Sequence, residues 1–152
     1  MESSDVKFSV SHLAAQAVVF AVVEQARALG VPRSVAVLDA SGVVMALCRM
    51  AGAPLVSSEV AQSKAFTALF GPSPPSEVLP PGVARLPRLG SVGAGLPIVV
   101  EGRAIGAIGV GGGTGEQDLE CVQAGLAALR ETGAPREHSA ASWERRAGVD
   151  GR

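Results

Sequence analysis

Two pairs of apolar, β-branched runs, each joined by only a few residues, constrain this chain most. Residues 33–39 (RSVAVLD) and 43–50 (VVMALCRM) flank Ala40-Ser41-Gly42, and residues 96–100 (LPIVV) and 103–110 (RAIGAIGV) flank Glu101-Gly102. Parallel strands need a crossover of about a dozen residues, so joins this short allow only antiparallel hairpins. Between and around the hairpins lie three helical segments. Residues 9–29 predict a helix capped by Ser9 or Ser11 and stopped by Gly30 and Pro32. A second opens at Ser57 or Ser58 and runs to about Phe70, before Gly71 and Pro72. A third begins at Thr114, where Thr114-x-x-Gln117 fits a capping box, and runs to about Glu131. The expected fold is α+β: an antiparallel β-sheet of about five strands packed by three helices, in the order α-β-β-α-(β)-β-β-α.

The first helix is apolar nearly all round from Leu13 to Val23, which predicts burial on more than one side. Either the domain wraps it or a partner subunit covers its second face. Residues 71–91 carry six prolines and no periodicity. A loop of this length in a compact domain reads as a lid, a subunit contact or a disordered stretch. The expected layout is an N-terminal arm over 1–8, one domain over 9–132 and a flexible tail over 133–152, where Trp143 could dock on a neighbour.

Composition narrows the function classes. The chain has 152 residues, a formal net charge of −1, and 18% charged residues without a basic stripe, so neither nucleic acid nor an anionic membrane is an expected partner. No apolar run is long enough for a membrane span and the acidic N-terminus is unlike a secretory signal, so a cytoplasmic location is expected. Cys48 and Cys121 lack metal or redox spacing and read as buried reduced thiols. Lys7 and Lys64 are the two lysines, and tyrosine is absent. Arginine-for-lysine bias with abundant Ala, Gly and Pro is the mark of a GC-rich genome. Any pocket would be lined mainly by Val, Leu, Ile and Ala.

Three segments together resemble the GlcG/HbpS-like family, also called PduO C-terminal-domain-like. RSVAVLDASGVVMALCRM is similar to its strand–Asp-x-x-Gly–strand–Arg-Met element. SSEVAQSKAFTA is similar to its Ser-x-x-x-Ala-x-x-Lys-Ala-x-Thr-Ala helix, and GAGLPIVVEGRAIGAIGVGGGTGEQD to its Gly-Gly-x-Pro hairpin followed by Gly-Val-Ser-Gly-Gly-Thr-x-x-Gln-Asp. The match runs from about Val10 to Leu129. The resemblance implies a three-helix, antiparallel-sheet fold, symmetric homo-oligomers, and, in some relatives, binding of haem or related tetrapyrroles. Three positions depart from the pattern: Ala51 follows Arg49-Met50 where the family has Asp, Gly111 replaces the serine, and Ala94-Gly95-Leu96-Pro97 replaces Gly-Gly-x-Pro.

Several residues could carry chemistry. Five glycines between Gly109 and Gly115 lead into the last helix, and Gly111, Gly112, Gly113 and Thr114 could bring backbone amides close to an anionic ligand atom, or merely make a tight connection. Glu116 and Asp118 lie in that helix's first turn, where they complement its dipole; as acid–base groups they would need burial. Lys64 shares a stripe with Ala61, Ala65 and Ala68, so it either snorkels to water or points into a cavity. Ser58 is a candidate ligand contact on the same helix. Arg49 either pairs with Asp118 or binds a ligand carboxylate. His12, at a helix start, is an exposed cap-region residue or an axial ligand for haem iron; His138 lies in the expected tail. No structural metal cluster is expected.

Two functions follow. One is a cofactor-independent cyclase or isomerase acting on an apolar metabolite, as in bacterial secondary-metabolite biosynthesis. It would fold its substrate into a reactive conformer, with Lys64, Asp118 and Glu116 as catalytic groups. The alternative is a haem- or tetrapyrrole-binding sensor or carrier without catalysis, with His12 as iron ligand.

Overall fold

A computed structural model describes residues 7–70 and 95–131. Seven elements follow in order: α1 (His12–Leu29), β1 (Ser34–Asp39), β2 (Val44–Arg49), α2 (Ser57–Ala68), β3 (Gly95–Val100), β4 (Arg103–Gly111) and α3 (Gly115–Glu131). The strands form one antiparallel sheet in the order β2-β1-β4-β3. The fold is α+β, with three helices and four strands among the described residues. The extra strand expected between α2 and β3 lies outside the described residues, as do the 71–91 loop, the 133–152 tail, Trp143 and His138.

Local chemistry sets the boundaries. Ser11 caps α1, its Oγ accepting the Ala14 amide at 3.2 Å, and Gly30 ends the helix in the left-handed conformation at φ 72°. In the first hairpin Asp39 Oδ1 accepts the amides of Ser41 (2.8 Å) and Val43 (3.0 Å), which closes the turn.

The sheet is covered on both faces. On one, Ile108 and Val110 of β4 and Val35 and Val37 of β1 meet Val18 and Val22 of α1 and Cys121, Val122 and Leu129 of α3. On the other, α2 lies on residues with little or no side chain. A methyl at Gly109 would stand 2.5 Å from the Ala65 amide nitrogen, so the backbones of α2 and β4 approach as closely as they do only because no side chain intervenes. Ala61 and Ala65 are fully buried in this contact.

The described residues do not wrap α1. Ala15, Val18, Val22 and Ala26 are buried, but Leu13 is 65% and Phe20 68% exposed. Among the described residues nothing covers the apolar second face read from the sequence, which leaves the partner-subunit alternative for that face.

Candidate functional site

At one end of the sheet a charged cluster is built from three elements. Arg33, just before β1, has a side chain with no exposure, and Asp118, in the first turn of α3, has 1%. Arg33 Nη1 donates to Asp118 Oδ1 at 2.6 Å, Nη2 to Gln117 Oε1 at 3.0 Å, and Nε to the Val31 carbonyl at 3.2 Å. Lys64, from α2, donates from Nζ to Asp118 Oδ2 at 3.0 Å and keeps 15% of its side chain exposed. The Gly113 amide adds a 3.2 Å bond to Oδ1. These donors fix the buried carboxylate in place.

The sequence-predicted residues separate here. Lys64 and Asp118 come together. Asp118 pairs with Arg33 and Lys64 rather than with Arg49, whose Nη2 donates instead to the Ala53 carbonyl at 2.8 Å. Glu116 is exposed, so it lacks the burial that acid–base work would need and remains a complement to the helix dipole. Ser58 is half-buried, and its carbonyl accepts Gln62 Nε2. The buried hydroxyl is its neighbour Ser57, 2.7 Å from Ser34 Oγ. Thr114 and Gln117 form the expected capping box: Thr114 Oγ1 accepts the Gln117 amide at 3.3 Å, and Gln117 Oε1 accepts the Thr114 amide at 3.4 Å.

Close packing accounts for the three glycines of the loop. A Cβ at Gly111 would lie 2.8 Å from the Ser57 carbonyl oxygen, at Gly112 3.3 Å from Arg33 Cα, and at Gly113 2.6 Å from Arg33 Cζ. The loop is wrapped around the protein's own arginine. Arg33 is the residue that sequence reasoning missed; its one signal is a charge set directly before a strand buried at all but its last residue.

His12 lies at the other end. The Val10 amide bonds to the Ile105 carbonyl at 2.9 Å, which places the start of α1 beside the beginning of β4, whereas Gly113 and Asp118 follow its end. The six-residue rise from Ile105 to Gly111 separates them by about 20 Å. His12 is exposed in the first turn of α1. Leu13, Gln16 and Phe20 continue that outer face at helical spacing. Among the described residues no group of three or more His, Cys, Asp or Glu could hold a metal ion, and no helix is long and apolar enough to cross a membrane.

A family model for the haem-degrading protein HbpS-like family matches residues 10–127. The chain belongs to the HbpS-like family. A curated relative, the corrinoid adenosyltransferase PduO of Salmonella typhimurium, is 36% identical over 119 residues; the match takes in 72% of this chain and 35% of PduO, so the chain spans about a third of that protein. The crystal structure of a PduOC:haem complex superposes with a TM-score of 0.70 at 33% identity, covering 79% of this chain and 94% of the other. A double mutant of Streptomyces reticuli HbpS superposes at 0.73 with 31% identity, covering 85% and 90%.

Residues present on the outer face of α1 fit haem better than those of the charged cluster. Both oxygens of Asp118 are taken by donors, and Met50 Sδ accepts the Arg33 amide at 3.4 Å. Cys121 is fully buried. His12 is the one imidazole among the described residues, and it stands in the open beside apolar side chains.

Proposed function

We propose that this HbpS-like domain binds haem or a related tetrapyrrole on the outer face of α1. The observation that carries the reading is the placement of exposed His12 beside Leu13 and Phe20, which are 65% and 68% exposed. Leu13 and Phe20 are two turns apart, about 10 Å along the helix, a span suited to a flat macrocycle. His12 would take the iron, and the two apolar side chains would lie against the ring. Haem, when bound, supplies redox-active iron; the chain supplies its seat and one nitrogen donor. The haem complex of PduOC and the family description support this reading over a cofactor-independent cyclase or isomerase. Of the groups that the cyclase reading makes catalytic, Lys64 and Asp118 are bonded to each other and Glu116 is in water. A seat open on one side is completed by a second copy of the chain, in keeping with homo-oligomers.

The deciding experiment is a visible-absorption titration of the full chain with haemin. A saturable Soret shift that His12→Ala abolishes, and that Phe20→Ser weakens, is expected. A shift of equal size and affinity in His12→Ala would remove His12 from the seat.

A further inference from the structure

The charged cluster does not balance. Arg33 and Lys64 bring two positive charges and Asp118 one negative, which leaves a surplus of +1. The surplus is not shared evenly. Arg33 has no exposure and spends Nη1, Nη2 and Nε on fixed acceptors, and Asp118 is equally enclosed. Lys64 alone of the three opens outward, and among the described residues its ammonium makes one hydrogen bond, to Asp118 Oδ2. Among the described residues, two of its three N–H groups have no acceptor.

We infer that Lys64 anchors a second ligand site, separate from the α1 face, that takes a monocarboxylate with an apolar body. One negative charge neutralises the surplus. A dianion would place its excess charge beside the Asp118 carboxylate, 3.0 Å from the same ammonium, where like charges repel. The apolar body has a wall to meet. Val60 lies one helical turn before Lys64, is 36% exposed, and leans over Gly111 with its Cγ1 3.0 Å from where a Cβ would be. Where the family pattern has serine, Gly111 puts no hydroxyl beside Val60. The root of the Lys64 side chain is held as well, since its backbone carbonyl and Cβ pack against Gly95 of β3. With about 20 Å between this cluster and His12, one small ligand cannot use both.

The chain provides its own control, because Lys7 and Lys64 are its two lysines. Lys7 Nζ lies 3.5 Å from Ser41 Oγ on an exposed part of the surface. Lysine side-chain NMR of the full chain therefore gives two ammonium signals, assigned with Lys64→Arg. They are followed during titration with sodium isobutyrate, and separately with acetate, inorganic phosphate and chloride at matched ionic strength. The Lys64 signal is expected to move saturably with isobutyrate while Lys7 follows the chloride control. Acetate should bind about fourfold more weakly, as partial burial of the two extra carbons predicts, and Val60→Ser should erase that preference. His12→Ala should leave the Lys64 response unchanged, so this site and the haem seat fail or stand independently. A Lys64 signal that moves no more than Lys7, or that follows chloride equally, overturns the site. An equal or stronger response to phosphate overturns its assignment to monocarboxylates.

Discussion

Asp118 is a carboxylate that two cations and a backbone amide compete to hold. Taking it away leaves the fully enclosed Arg33 without its carboxylate and beside a second cation, and losing one partner of a buried pair costs about 3–5 kcal/mol. Asp118→Ala should lower the urea midpoint accordingly, with the far-UV spectrum of the surviving folded protein unchanged. Gly113→Ala tests the same cluster from the loop: its new methyl strikes the Arg33 guanidinium and should destabilise by about 1–3 kcal/mol, measured in the same way. Cys121, fully enclosed on α3, behaves oppositely to a reactive thiol. Burial pushes it above its ordinary 9.0, against the pull of Arg33. The folded state thus favours the protonated thiol, and the associated stability is present below pH 9 and lost as pH rises through the raised value. A thiol reagent at pH 8 should modify half-buried Cys48 and reach Cys121 only on unfolding. None of the partners of Arg33 was legible in the sequence. An arginine before a strand looks like an ordinary flanking charge, and its pairing with Asp118 spans 85 positions.

The helices and hairpins were legible because each carries its own local code. The Asp39 turn, the Ser11 cap and the Gly30 stop act within a few residues. The capping box at Thr114 is of the same kind, and Thr114→Ala should cost about 1 kcal/mol, read as a lower thermal midpoint. Its effect should exceed that of an isolated cap, because Gln117 also accepts from Arg33 and would be loosened in both roles. Ends were read less well: α1 starts at His12 rather than residue 9, and α2 stops at Ala68 rather than Phe70. What the local code lacks is the sheet order and the face that α2 covers. Those follow from which strands lack side chains on one side, and Gly109 and Gly111 mark that side only once β4 is known to lie between β1 and β3.

For the molecule as a whole, the sheet holds its two chemistries apart. The imidazole and its apolar neighbours stand where β4 begins, and the charged cluster stands where it ends. The family resemblance was legible from three motifs, and it carried the haem alternative. The motifs could not say that Lys64 and His12 face different ends, since both belong to the matched region. The contact between Gly95 and the Lys64 carbonyl ties one of those ends to the edge of the sheet. Because nothing compressible lies between them, β3 acts on α2 as a mechanical stop. Bulk added at Gly95 would therefore push directly on the Lys64 backbone, at the root of the side chain that reaches Asp118.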